Sequence, residues 1–205
     1  GARKYMRSLR ANGLMRTLKL WVWDTLFSSA YYEEMREMAS FPLDFHGLDL
    51  RQMDGGELDF PDDTFDLIVS HEVFEHLRDV TAALEEMQRV MKDEAIAYVY
   101  IHNYTSLSGG HHIAWKYPDR DPPEHVPPWD HLRNREFPEI PSYINRMRLH
   151  EYRNLLEERF ELLSWKLTER EGERFLTPEI RYELSDYTEE ELLRKGVVIV
   201  ARPKS

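Results

Sequence analysis

The feature that most constrains this chain is two apolar runs joined by one amphipathic helix, all within Phe65 to Ile101. Phe65 to Ser70 reads as a continuous, largely apolar run, the pattern of a buried strand in a parallel sheet. Asp79 is placed to cap a helix whose apolar positions Val80, Leu84, Met87 and Met91 recur at helical spacing. The other face of that helix carries Glu85, Glu86, Gln88, Arg89 and Lys92, so one side lies on a sheet and the other in water. Ala95 to Ile101 is then a second apolar strand. Strand, helix and strand at this spacing predict a βαβ unit with a right-handed crossover, and hence an α/β fold.

The flanks are read the same way. Residues 3 to 39 read as helical with a break near Asn12-Gly13, because glycine is costly inside a helix. Leu14, Leu18, Trp21, Val22 and Leu26 fall on one helical face. With Trp23, Phe27, Tyr31 and Tyr32 they predict either core packing or a lid or interaction surface. Phe41-Pro42 breaks the helix. Asp44 to Leu50 reads as a short strand, residues 51 to 57 as a loop, and Glu72 to Leu77 as a short helix. Between His102 and Tyr143 regular structure gives way to a stretch rich in proline, glycine and histidine, far longer than an ordinary connection and of a kind that is commonly functional. Leu149 to Glu158 reads as a further amphipathic helix, and Phe160 to Leu167 and Gly196 to Ala201 as two strands. Thr188 with Glu191 forms a capping box for a short helix between them. The predicted organisation is a single domain over residues 1–205, with a helical segment at 1–40 and an insertion at 103–145.

Composition excludes several classes of function. With no cysteine there are no disulfides, thiolate metal sites or cysteine nucleophiles. A net charge of -11 opposes nonspecific nucleic-acid binding. No apolar run is long enough for a membrane span, and no secretory leader is visible, so the expectation is a cytoplasmic protein without membrane contact. Arg3, Lys4, Arg7, Arg10, Arg16 and Lys19 form a basic stretch ahead of Asp24. It reads as a solvated helix face, with docking to an acidic partner or subunit as the alternative.

One ordered set of motifs raises a family. Asp49 closes the first predicted strand; Leu58-Asp59-Phe60-Pro61-Asp62-Asp63-Thr64-Phe65-Asp66-Leu67-Ile68 follows, then Glu75-His76-Leu77-Arg78-Asp79, then Arg89-Val90-Met91-Lys92. Across residues 46 to 102 this resembles the class I S-adenosylmethionine-dependent methyltransferases, particularly the broad small-molecule group of type 11. The resemblance implies a Rossmann-like three-layer sandwich, S-adenosylmethionine as cofactor, and methyl transfer to a small-molecule acceptor through oxygen or nitrogen. It implies that Asp49 meets the adenine amino group with Leu50 beside it, and that Ser70 and His71 line the sulfonium end of the cofactor.

The sequence departs from the family at two places. Lys92 is followed by Asp93-Glu94-Ala95 rather than Pro-Gly-Gly, which alters a surface turn. The glycine-rich segment of the family's first strand, and the acidic residue ending its second, have no counterpart. The expectation is therefore a truncated domain lacking the first two strands; the alternative is a catalytically inactive binding or scaffold module. Missing strands leave the Asp44–Leu50 strand without its neighbours, so either the N-terminal helices fill the gap or another chain does, as in a homo-oligomer.

In this fold the substrate lies above the strand ends under insertions that follow the fifth strand, where the histidine-rich stretch falls. Histidine titrates in the right range to take a proton from a hydroxyl or amine as the methyl group arrives. His111 and His112, beside Gly109-Gly110, are the candidate catalytic residues, with His131 behind them, His102, His125 and Asp130 nearby, and Trp115 and Trp129 as a candidate apolar wall. The spacing of the histidines matches no helical or hairpin ligand pattern, so no metal ligands are assigned.

Overall fold

A computed structural model describes residues 2–39, 49–116, 126–133 and 143–204. The chain divides into two compact units, residues 1–52 and 53–205.

In the first unit, α1 (Ala2–Leu26) is broken at Gly13, whose φ of 76° and ψ of 174° lie outside the helical region, and α2 (Ser28–Met38) follows. Glycine takes this left-handed φ without the steric cost of a Cβ, which is why the break falls there. Lys4 pairs with Asp24 at 2.7 Å and the Tyr5 hydroxyl donates to the same carboxylate at 3.0 Å, so the two halves of α1 fold back on each other. Trp23 stacks on Phe27 with ring centroids 5.8 Å apart. The predicted strand at residues 44–50 lies mostly outside the described residues; Asp49 and Leu50 are in irregular backbone.

The second unit is built on a four-stranded sheet in the order β1-β2-β4-β3. β1 (Phe65–His71) and β2 (Met91–His102) are parallel and are joined through α3 (Val80–Val90), the βαβ unit expected from the sequence. β4 (Gly196–Pro203) runs antiparallel to both β2 and β3 (Phe160–Leu167). Between β2 and β3 lie α4 (Asp130–Arg133) and α5 (Leu149–Arg159); between β3 and β4 lie α6 (Pro178–Glu183) and α7 (Glu189–Leu193). Asp79 caps α3 by accepting from the Ala82 amide at 2.9 Å, and Thr188 with Glu191 forms the capping box of α7. α6 lies in a stretch not assigned from periodicity; its signal was Thr177-Pro178, a cap followed by proline in the first helical turn.

The main core lies between the sheet and the helices α3 and α5. Val80, Leu84 and Met87 of α3 and Leu149, Tyr152 and Leu156 of α5 pack on Ala95, Ala97, Val99 and Ile101 of β2 and Val197, Ile199 and Ala201 of β4. Alternate residues of each strand face this layer, as the period of two requires. A second core gathers Leu107, Trp115, Val126, Trp129, Leu176, Ile180, Leu184, Leu192 and Leu193. Among the described residues after β2, Leu107, Trp115, Val126 and Trp129 belong to this second core, so the two tryptophans are packed within it.

Three local expectations change. β1 reads as a buried strand but is an edge strand of this sheet, with Leu67 57% and Val69 63% exposed, because its outward face and outer edge lack a covering layer within the unit. The short helix expected at 72–77 contracts to a 3₁₀ turn at Phe74–His76. The turn expected at Asp93-Glu94 is absorbed into β2 as an irregularity, where Phe65 pairs with Met91 but Leu67 pairs with Ile96.

The Arg89 motif has a structural reason. Its guanidinium holds Glu86 at 2.8 and 2.7 Å, Asp62 at 2.7 Å, and the carbonyls of Phe60 at 2.8 Å and Leu58 at 3.0 Å. Glu86 in turn accepts from the Leu58 amide at 2.7 Å. One arginine thus fastens the acidic segment ahead of β1 to α3. Among the described residues no helix is long and apolar enough to cross a membrane.

Candidate active site

The site builds from the carboxyl ends of the two parallel strands, the edge where open α/β sheets place their ligands. At the end of β1, Ser70 pairs with Val99 and His71 with Tyr100, whose ring lies 4.6 Å from the imidazole. Glu72 follows with a φ of 53°, and its amide donates to the Tyr100 carbonyl at 3.1 Å. The chain then turns through Phe74–His76, and Glu75 points inward.

β2 ends at His102, and the chain closes over it. Asn103 organises the bend, donating to the Glu191 and Arg194 carbonyls at 2.7 and 2.8 Å and accepting from the Thr105 hydroxyl at 2.9 Å. Gly109 and Gly110 are there for close packing. A Cβ on Gly109 would stand 2.2 Å from the Asn103 carbonyl oxygen, and one on Gly110 would stand 2.5 Å from Cγ of His131. Directly after them His111 adopts a left-handed backbone with φ of 55°, an uncommon conformation for a residue with a side chain.

That conformation sets the His111 ring between two others, 5.0 Å from His76 and 4.8 Å from His102 by ring centroid. Each neighbour is oriented by hydrogen bonds. His76 Nδ1 lies 2.7 Å from the Tyr143 carbonyl, to which only an N–H can donate, so the lone pair is on Nε2. His102 Nε2 lies 2.9 Å from Ser108 Oγ, and Ser108 lies 2.8 and 3.0 Å from the two Glu171 oxygens, which can only accept while Glu171 is ionised. The proton order therefore runs from His102 through the Ser108 hydroxyl to Glu171. Glu171 also accepts from the Ser108 amide at 2.7 Å.

Burial fixes the charge states. It holds the His102 imidazole down to about 3, with further depression from the neighbouring His111, Lys195, His131 and His76, and it lowers His111 as well, with His76 adding to the effect. His131 is pushed down to about 4, again by burial, against a hydrogen bond to the Tyr104 carbonyl at 2.8 Å that favours the charged form. Burial thus keeps these three imidazoles neutral at pH 7. Burial raises the Glu75 carboxyl; the amides of Glu75 and His102 pull the other way without reaching hydrogen-bonding geometry.

Of the histidines singled out in the sequence, His111 stands in the cluster. His112 caps the 3₁₀ turn at Ile113–Trp115, accepting from the Ala114 amide at 3.1 Å, and His131 is buried beneath Gly110. His125 lies outside the described residues. Asp49 is paired with Arg51 at 2.7 Å, which holds its carboxyl below the usual range, and both it and Leu50 are exposed in the first unit. The sequence singled out neither Glu75 nor His76 as a site residue, and it gave no sign of Ser108 and Glu171. For Glu75 and His76 the signal was present in the Glu-His-Leu-Arg-Asp motif. The others come from segments distant in sequence, and no spacing could have joined them.

Family comparison matches residues 8–99 to the methyltransferase domain family. This stretch includes the motifs that carry the resemblance to the class I methyltransferases, so over it the chain is similar to that domain family. No curated protein matches the chain in sequence. Among solved structures, the PH0226 protein of Pyrococcus horikoshii is similar at 16% identity, covering 88% of this chain and 68% of that one with a TM-score of 0.48. An S-adenosylmethionine-dependent methyltransferase of Methanosarcina mazei is similar at 19% identity, covering 73% and 64% with a TM-score of 0.43. A possible histamine N-methyltransferase of Thermotoga maritima is similar at 16% identity, covering 73% and 61% with a TM-score of 0.42.

Proposed function

We propose that the protein serves methyl transfer from S-adenosylmethionine to a small-molecule acceptor through oxygen or nitrogen. The observation that carries this reading is His111, a neutral imidazole on a left-handed backbone beside the carboxyl ends of β1 and β2. Methyl transfer is a direct displacement, so the protein's task is alignment and removal of one proton from the acceptor. In this reading His111 takes that proton, while His112 and His131 fix the segment that presents it. Ser70 and His71 line the methyl-donor end of the cofactor, and Asp49 with Leu50 receives the adenine. S-adenosylmethionine supplies the methyl group.

One observation favours a second reading, a binding or scaffold module without catalysis: the sequence has no glycine-rich turn of the kind against which the family packs the cofactor's methionine part. Calorimetry with S-adenosylhomocysteine, followed by incubation with methyl-labelled cofactor and pooled small phenols, carboxylates and amines, separates the two. Label in a small extractable product, lost in His111→Ala, is the expected result. Absence of cofactor binding, or binding without transfer to any small molecule, overturns the catalytic reading.

A further inference from the structure

Glu75 poses a problem that methyl transfer does not solve. It is 1% exposed, and neither carboxylate oxygen has a hydrogen-bond partner among the described residues. A carboxylate removed from water without a partner is expensive, and buried acidic groups are normally paired, hydrogen-bonded or bound to a metal. Its oxygen is not isolated from ligand atoms, however. One oxygen of Glu75, one nitrogen of His76 and one nitrogen of His111 all lie within 4.8 Å of one another.

We propose that Glu75, His76 and His111 form a binding site for a divalent transition-metal cation, leaving further coordination positions open to an outside ligand. The donor set selects the class of ion. Two imidazoles and one carboxylate suit zinc, iron(II), cobalt or manganese, whereas calcium and magnesium require a shell of oxygens. The tautomer is already correct, because the His76 Nδ1–H bond to the Tyr143 carbonyl leaves Nε2 free to bind, the outer arrangement typical of ligating histidines. Tetrahedral bonds of about 2.0–2.1 Å set donors roughly 3.3 Å apart, so the side chains close by small rotations around the ion. His102, stacked on His111 and anchored through Ser108 to Glu171, limits the swing of the His111 ring. Histidine spacing concealed this set, because the carboxylate and one imidazole come from the turn after β1 and the other imidazole from beyond β2. On the methyl-transfer reading, an ion here would bind an acceptor oxygen and lower its pKa, replacing His111 as the promoter of proton loss, because a ligating imidazole has no lone pair left for the proton.

The test uses the chelator-treated protein and the metal alone. Calorimetric titration with zinc or manganese, and the visible absorption of added cobalt, should show one ion per chain. Glu75→Gln and His111→Gln should each weaken binding by at least roughly 100-fold, since loss of outer-shell partners alone costs about 10–100-fold. His150→Gln, at an exposed imidazole far along the sequence, should leave affinity unchanged. Circular dichroism checks that each variant is folded; should Glu75→Gln fail to fold, His76→Gln and His111→Gln carry the test. No binding by the parent protein, or undiminished binding in folded His76→Gln and His111→Gln, overturns the proposal. One ion bound at this site in a protein inactive towards every acceptor supports it and counts only against the methyl-transfer reading.

Discussion

Asn145→Ala should destabilise the second unit far more than a half-buried polar residue usually does. The Asn145 amide donates to the Phe74 carbonyl at 2.8 Å and the Leu77 carbonyl at 3.1 Å, so it holds both ends of the turn that carries Glu75 and His76. Its carbonyl oxygen accepts from the Tyr152 hydroxyl at 2.8 Å and the Met147 amide at 3.1 Å. At about 0.5–1.5 kcal/mol net per bond, the four bonds total about 2–6 kcal/mol. Water can replace the partners of Leu77 and Met147. It cannot readily reach the Tyr152 hydroxyl, whose residue is 1% exposed and which keeps only the long bond to the Phe74 carbonyl at 3.4 Å, so part of the about 1–3 kcal/mol cost of stranding a buried donor is added. The expected loss is therefore about 3–4 kcal/mol. Urea unfolding followed by far-ultraviolet circular dichroism reads it as a fall in midpoint of roughly 1–4 M, for a slope of about 1–3 kcal/mol/M. The backbone amide of residue 145, which donates to the Glu75 carbonyl at 2.9 Å, is retained in the variant, so the loss reports the side chain alone. Combining it with Tyr152→Phe should give a double variant less destabilised than the sum of the singles by about 1 kcal/mol, because the two share one bond. A loss below about 1 kcal/mol for Asn145→Ala, or strict additivity in that cycle, refutes the view that this side chain pins the turn.

Gly110→Ala places a methyl group 2.5 Å from His131 Cγ, so α4 must move; the expected loss is about 1–3 kcal/mol by thermal unfolding. Gly109→Ala should be worse and fail to yield folded protein, because its Cβ meets two backbone carbonyl oxygens at 2.2 and 2.3 Å that have no rotamer to escape into. For His131 the folded-state value of about 4 lies below the 6.5 of a free imidazole, so the unfolded chain binds the proton first and stability falls as the pH is lowered. The full contribution is present above pH 6.5 and is lost between there and about 4; the loss approaches about 3 kcal/mol at roughly 1.4 kcal/mol per unit. His102 titrates over an overlapping window, so the measurement is the difference in unfolding free energy between the parent and His131→Gln across pH 7 to 4. His111→Ala should lower methyl transfer by about 10²–10⁴-fold while leaving the circular dichroism spectrum unchanged, the range for loss of a general base.

Elements whose residues are neighbours in sequence were legible from sequence alone. The βαβ unit, the Asp79 cap, the Thr188–Glu191 box and the break at Gly13 each follow from a period or a cap. The site was legible only in part. His111 stood out because histidine crowds its segment, but its partners did not, since Ser108 meets Glu171 and Asn145 meets Phe74 across long stretches of chain. The paired glycines at 109 and 110 suggested freedom of motion. Their role is the opposite, allowing backbone and imidazole to approach more closely than any side chain would permit.

The strand β1 joins the two lines of reasoning. Leu67 and Val69 are side chains suited to a strand covered on both faces, yet they stand exposed at the edge of the sheet. Such an edge offers unpaired backbone groups beside an apolar surface, a combination that invites another strand. The histidine cluster lies away from that edge, at the carboxyl ends of β1 and β2, and its hydrogen bonds close within the second unit. The proposed proton transfer and the proposed metal site therefore draw on residues that the second unit already assembles. A protein that binds the ion but not S-adenosylhomocysteine would support the metal site and count against the methyl-transfer reading alone.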